Sequence, residues 1–278
     1  MINTRMVRVN NAEVEIMERA GREPTLVWVH GNSMSSKMWQ KQLEAPLLQP
    51  YKMLLLDLPG HGGSAPSRQP ATDYNVPGYA VSIQTLLGQL GLEPYILIGL
   101  SLGGNIALEM LPHLTKETCR GIMVIGTAII DTPAALAEAF LPNPATNSLF
   151  KGACTAEELA ALLQTVSGRH YPEALPAFVA ADFLNTDPAC RIYMGESIGQ
   201  GDFSDVITYV KETPIPVAVV TGAAEQIINN EYLTNLSVPM WRHQVQVIPE
   251  AGHLLPWEKA EDFNNLLLAF VQDCIEIQ

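Results

Sequence analysis

Residues 95–111 read YILIGLSLGGNIALEML, and the order of residue types in this stretch decides the fold. Tyr95 to Gly99 is a short, strongly apolar run of the kind that fills a strand buried on both faces. From Leu102 onward the pattern turns helical, and a helix is expected over Leu102 to Leu114. Strand and helix meet at Gly99-Leu100-Ser101-Leu102-Gly103, a G-x-S-x-G in the strand–turn–helix setting that its mechanics require. Glycines two before and two after the serine let the elements approach closely enough for a sharp turn, which presents the Ser101 hydroxyl above the sheet. The turn also puts the Leu102 N–H at a helix N-terminus, where the dipole favours developing negative charge. A glycine-rich connection with an idle serine is the plain alternative; the flanking strand and helix favour a nucleophile.

Similar apolar runs recur on either side, separated by helical patterns, as in a parallel α/β sheet. Thr25 to His30, Lys52 to Asp57, Gly121 to Gly126, Val217 to Thr221 and Val245 to Ile248 read as strands. Arg5 to Val9 and Glu13 to Met17 read as a hairpin turning at Asn10-Asn11, expected to run antiparallel to the rest. The fold class is therefore α/β, with a mostly parallel eight-stranded sheet and helices on both faces. Between the strands at Gly121 and Val217 the pattern is helical instead: Pro133 to Phe140, Ala156 to Val166, Glu173 to Leu184, Pro188 to Ile198 and Ser204 to Glu212. Thr155 and Asp187 are plausible N-caps there, the latter followed by Pro188 at the first helical position. We read 133–213 as a helical cap inserted into a core formed by 1–132 and 214–278. Phe140, Leu141, Phe150, Leu162, Phe178, Phe183, Tyr193 and Met194 are the larger apolar candidates for its inner face, and most of them should serve plain packing.

The bulk numbers agree with one large folded unit. Of 278 residues, 47% are hydrophobic and 16% charged, too much apolar material and too little charge for a disordered chain. The formal net charge of −13 repels phosphate backbones and anionic lipid, so neither nucleic acid nor a membrane surface is expected as a partner. The four cysteines, Cys119, Cys154, Cys190 and Cys274, show no metal spacing and are expected as buried free thiols. Met1 to Asn10 lacks the apolar core of a signal peptide and no stretch approaches a membrane span, which makes a cytoplasmic location the default expectation. No metal motif and no G-x-G-x-x-G is present, so no cofactor is expected.

Two further loops carry chemistry. His30-Gly31-Asn32-Ser33 follows the strand ending in LVWV, and a tight glycine turn there leaves backbone N–H groups free. The N–H of Asn32, or that of Ser33, would join Leu102 as an oxyanion donor. His30 is expected to hold the turn rather than to react. Ala251-Gly252-His253 follows the last strand, and His253 is the histidine that fits the chain order nucleophile, acid, histidine. It would take the Ser101 proton and return it to the leaving oxygen. After the strand at Val217 the first carboxylate is Glu225; its competitor for orienting the imidazole is Asp131. Asp57 ends a strand at the turn Pro59-Gly-His-Gly-Gly-Ser64 and is expected to brace that loop, with His61 structural.

The segments VHGNS…W, DLPGHGGS, GLSLGG and EAGHLLPWEKAEDF resemble the α/β-hydrolase superfamily in order and spacing. That family usually carries Asp in the acid loop, and Ala224-Glu225 departs from it. HGNSMSSKMW, VVTGAAEQIINNEYL and LLLAFVQDC look most like the cap-bearing N-acyl-homoserine lactone hydrolases, whereas the cap itself matches poorly. The resemblance implies Glu225 as the acid and Asn32 and Leu102 as oxyanion donors. It also implies a small-molecule acyl ester or lactone substrate. Three other readings share the scaffold: a general carboxylesterase, a C–C bond hydrolase or hydroxynitrile lyase, and a small-molecule receptor on a retired hydrolase fold.

Overall fold

The Val-, Ile- and Leu-rich runs assemble into a single eight-stranded sheet in a computed structural model that describes residues 2–167 and 175–276. The strands are β1 (Ile2–Val9), β2 (Ala12–Arg19), β3 (Arg22–Val29), β4 (Tyr51–Leu56), β5 (Tyr95–Leu100), β6 (Cys119–Ile125), β7 (Val217–Gly222) and β8 (Gln246–Ile248). Their order is β1-β2-β4-β3-β5-β6-β7-β8. All neighbours from β4 to β8 pair in parallel; β2 is antiparallel to both β1 and β4. The hairpin as a whole therefore does not oppose the sheet, since β1 runs in the common direction and β2 alone runs against it. The reason is the hairpin turn itself, which reverses the chain once between β1 and β2.

Burial follows from position in the sheet. Every residue of β5 is buried and β1 at the edge is exposed along most of its length, because helices cover both faces of the central strands and reach less far over the edge. Helices α1 (Val76–Leu90) and α2 (Leu102–Glu109) pack together, with α2 lying on β5 and β6. The expected Leu102 to Leu114 helix ends early and continues as a tight turn at Leu111–His113. Pro112 has no N–H to return to the carbonyl one turn back, so the α-helical ladder cannot run through it.

From β6 to β7 the chain runs through α3 (Pro133–Ala139), a 3₁₀ stretch at Pro144–Phe150, α4 (Ala156–Val166), α5 (Ala177–Asn185), α6 (Pro188–Gln200) and α7 (Val206–Glu212). Glu173, the expected start of one helix, lies outside the described residues. Local chemistry sets the helix starts. Thr155 and Glu158 form a reciprocal capping box on α4, and Asp187 accepts from Ala189 N at 3.0 Å ahead of Pro188 on α6. The segment between β6 and β7 is tied to the rest of the chain by Tyr74 Oη to Asp187 Oδ2 (3.0 Å) and Ser204 Oγ to Glu109 Oε1 (2.7 Å). Phe178 of α5 also sets its ring edge-on to Trp257 at 5.1 Å. Leu162, Phe183 and Met194 are buried, while Phe140, Leu141, Phe150, Phe178 and Tyr193 remain partly accessible. The last described element is α8 (Ala260–Glu276), which packs on β6. No described helix is long and apolar enough to cross a membrane. The four cysteines are free, Cys154 partly accessible and the other three buried.

The sheet order changes direction at β3: the chain steps from β3 out to β4, then back across to β5 on the other side. Loops leaving β3 and β5 therefore diverge and open a crevice at the carboxyl ends of the strands, where open α/β sheets hold ligands.

Candidate active site

Ser101 sits in that crevice with φ 52° and ψ −115°, a conformation that costs an L-residue on the order of 1–3 kcal/mol. Two close approaches enforce it. A Cβ on Gly99 would stand 2.3 Å from the Gly103 carbonyl oxygen, and one on Gly103 would stand 2.3 Å from that of Val29. Only hydrogen fits at both places, so strand β5, helix α2 and strand β3 meet backbone to backbone. Ser101 N donates to Ile125 O at 2.7 Å, tying the turn to the end of β6. The serine is partly accessible. The N–H of Leu102, first residue of α2, has no hydrogen-bond partner among the described residues.

The β3 loop runs alongside. A Cβ on Gly31 would lie 3.4 Å from Ser101 Cβ, which puts the Asn32 backbone next to the serine. The Asn32 N–H likewise has no partner among the described residues. His30 is fully buried; its Nε2 accepts from Leu58 N at 3.0 Å, so the ring proton sits on Nδ1 and donates to Gly31 O at 2.8 Å. Burial lowers its pKa, and a neutral His30 locks the turn. Asp57 accepts from Ser36 N (2.6 Å) and Gly63 N (2.7 Å), bracing both the β3 loop and the PGHGGS turn. His61 is buried and bonded to Pro59 O, its pKa pushed down to about 3 by burial and by His30.

His253, after β8, and Glu225, after β7, are brought together: His253 Nδ1 lies 2.8 Å from Glu225 Oε2, both side chains shut off from solvent. Gly126, at the end of β6, lies against the imidazole, where an added Cβ would be 2.9 Å from Nδ1. Glu225 Oε1 accepts from Gln226 N (2.9 Å) and Ile227 N (2.8 Å). Burial opposes its charge, yet the His253 charge and bond and these two N–H groups hold its pKa below the usual carboxylate range. Burial likewise opposes an imidazolium, yet the Glu225 charge and bond, with Glu258 nearby, carry the His253 pKa above its ordinary value. The carboxylate thus fixes the Nδ1–H tautomer and leaves Nε2 as the basic nitrogen. Asp131 is exposed, accepts from Thr132 Oγ1 and makes no bond to His253. Ser101 N is bonded to Ile125 O and His253 lies against the next residue, Gly126, but Ser101 and His253 share no direct hydrogen bond; such contacts are often long until substrate arrives.

Two neighbours of the candidate site escaped the sequence reading. Glu258 accepts from Gly252 N at 2.8 Å and Leu254 N at 3.0 Å, gripping the backbone on both sides of His253; its burial raises its pKa to about 7. Its place five residues after His253 was the available signal. Arg191 donates to Ser33 Oγ from 158 residues away, a contact with no local signature. An apolar cavity lies one to two turns along α2 from Ser101, between Asn105 and Glu109 on one side and Leu136, Phe140, Phe203 and Val206 on the other.

A serine on a strained strand–helix turn, a buried His–Glu pair and two free N–H groups at the carboxyl end of a mixed sheet define a hydrolase scaffold. The chain belongs to the family described by the alpha/beta hydrolase fold, whose family model matches residues 24–260. It is similar to the N-acyl homoserine lactonase AidH, whose serine-to-glycine variant was solved in complex with N-hexanoyl homoserine lactone. The two share 26% identity and a TM-score of 0.92, with 99% of this chain and 100% of that one covered. A thermophilic esterase from Thermogutta terrifontis shares the fold at a TM-score of 0.76 and 21% identity, covering 97% of this chain and 99% of its own. Among curated proteins, a 2-hydroxy-6-oxononadienedioate/2-hydroxy-6-oxononatrienedioate hydrolase of Pseudomonas putida is 23% identical over 97% of this chain and 96% of its own.

Proposed function

We propose that the protein hydrolyses carboxylic esters or lactones through an acyl-enzyme on Ser101, and that its substrates are N-acyl-homoserine lactones. The observation that carries the chemistry is the 2.8 Å bond between His253 Nδ1 and Glu225 Oε2, made beside a serine held on a strained turn. Ser101 Oγ attacks the carbonyl carbon while His253 Nε2 takes its proton. Negative charge on the carbonyl oxygen is met by the N–H groups of Leu102 and Asn32. Collapse of the tetrahedral intermediate breaks the ring C–O bond, and His253 returns the proton to the alkoxide. In a lactone that alcohol stays tethered to the acyl group. Water, deprotonated by His253, then attacks the acyl-enzyme and releases the hydroxy acid.

The lactone reading is supported by the 26% identity and near-complete overlap with a lactonase solved with its lactone. The net charge of −13 sets no obstacle to a neutral substrate. In this reading 133–213 acts as a cap over a core of 1–132 and 214–278 and sets chain-length preference. The test is a panel of N-acyl-homoserine lactones of several acyl lengths beside p-nitrophenyl esters, with Ser101→Ala as control. One acid equivalent released per lactone, as ring-opened acyl-homoserine, is the expected result. Fast cleavage of short esters without ring opening would make the protein a general carboxylesterase, and no turnover of either class would leave a binding protein.

A further inference from the structure

The β3 loop is not held by its own strand alone. Ser33, directly after Asn32, has φ 57°, a left-handed conformation that glycine adopts freely and serine does not. Its hydroxyl accepts from Arg191 Nη1 at 3.2 Å and donates to Asn32 Oδ1 at 3.0 Å. Asn32 Nδ2 in turn donates to Leu149 O at 2.9 Å. Two residues on, Ser35 Oγ donates to the buried Asp182 Oδ2 at 2.5 Å. Leu149, Asp182 and Arg191 all belong to the segment inserted between β6 and β7, so that segment grips the loop at three successive points.

Arg191 is an unusual choice for a packing residue. It is buried, and among the described residues no carboxylate forms an ion pair with it. Nε reaches Lys151 O (2.8 Å), Nη2 reaches Gly152 O (3.0 Å) and Nη1 reaches Phe183 O (3.0 Å), with the guanidinium over the Phe183 ring. An apolar side chain would fill the space without desolvating a charge. What a guanidinium adds is a rigid fork that fixes several acceptors at once. Three of these are carbonyls of the inserted segment; the fourth, Ser33 Oγ, is not.

We propose that Arg191 is a positioning residue for the oxyanion hole: through Ser33 it holds the Asn32 turn so that its N–H faces the substrate carbonyl, and the hole is complete only while the inserted segment is seated. The inference rests on the reading of Asn32 and Leu102 as oxyanion donors. It makes the segment part of the chemical step and not only of substrate choice.

Ser33→Gly and Arg191→Met test it, with Arg191→Lys keeping the charge but not the fork. Removing an oxyanion donor outright costs about 10²–10³-fold in kcat, so a misaimed one should cost about 10- to 100-fold. That loss should fall on kcat with KM held within about twofold. Inhibition by a trifluoromethyl ketone, which forms a tetrahedral oxyanion on the serine, should weaken by the same factor. Glycine removes the Ser33 hydroxyl yet suits the backbone, so Ser33→Gly decides the matter even where an Arg191 variant does not fold. Wild-type kcat in Ser33→Gly, or a loss confined to KM, overturns the proposal. Labelling by a fluorophosphonate separates it from the underlying reading. No labelling of Ser101 in the wild type sinks the acyl-enzyme mechanism, whereas normal wild-type labelling with unchanged variant kcat sinks the Arg191 role alone.

Discussion

Glu225 Oε2 stands 2.8 Å from His253 Nδ1, and both side chains are buried. A buried carboxylate whose other oxygen takes two backbone N–H groups has no freedom to turn away, so it fixes both the tautomer and the tilt of the imidazole. Glu225→Gln is expected to lower kcat by up to about 10⁴-fold, as loss of the orienting acid does in serine triads. Asp131→Asn, on an exposed side chain, should stay near wild type. Steady-state rates on one ester compare the two, and a larger loss in Asp131→Asn would overturn the assignment.

The pH profile carries the same pair. His253 must be neutral to act as base, and Glu225 raises its pKa, so kcat/KM should rise with pH through a value above the ordinary 6.5. Removing the negative charge in Glu225→Gln removes the first favourable influence on the imidazolium, which burial already opposes. The acidic limb of the residual activity should then move to lower pH. A limb that stays in place would show that another group titrates there.

Strain at Ser101 should be visible in stability. Its φ of 52° favours glycine over any residue bearing a Cβ. Ser101→Gly should therefore be more stable than Ser101→Ala by about 1 kcal/mol, or roughly 2–4 °C in Tm for a chain of this size. Both should lose nearly all turnover, on the order of 10⁶-fold. Equal melting temperatures by calorimetry would argue against a strained turn.

Glu258 offers a stability test of its own. Glu258→Ala leaves the buried N–H groups of Gly252 and Leu254 without their acceptor, a loss of about 1–3 kcal/mol for an unpaired donor. The sign of its pH effect is opposite to that of Glu225. Its pKa is raised from 4.5 to about 7, so the folded state binds more protons across that window and stability should fall as pH rises through it. In Glu258→Ala that slope should flatten, which denaturant titration at several pH values would detect.

Thiol reactivity should divide the cysteines. Burial raises the thiol pKa of Cys119 and Cys190 to about 12 and that of Cys274 upward as well, whereas Cys154 is partly accessible. Maleimide should modify Cys154 in the native protein and all four after denaturation. Rapid native labelling of Cys190 would mean that α6 does not stay seated on the core.

Much of this was legible in the sequence because its signals are local. The strands announce themselves as apolar runs, and the G-x-S-x-G, HGNS and AGH segments each combine a strand end with a turn. The direction of β1 was not legible, since a hairpin pattern fixes only that its two strands oppose each other. The end of α2 could have been read from Pro112. Glu225 was singled out by its place after β7 and Asp131 by its place after β6; the structure sets Glu225 against His253 and leaves Asp131 exposed. Arg191 lay beyond reach altogether: its meaning comes from Ser33, 158 residues earlier in the chain.

The edge-on contact between Phe178 and Trp257 gives the molecule an optical signal. Trp257 lies between the Phe178 ring at 5.1 Å and the Lys41 ammonium at 4.6 Å, four residues from His253 in the chain. Movement of α5 would trade an aromatic edge for water on that indole and shift its emission to the red. Trp28 and Trp39 are fully buried against each other, and Trp241 is buried edge-on to Phe270 of α8, so the other three tryptophans form a constant background. Stopped-flow fluorescence could therefore time the seating of the inserted segment against the chemical step, without any label attached to the protein.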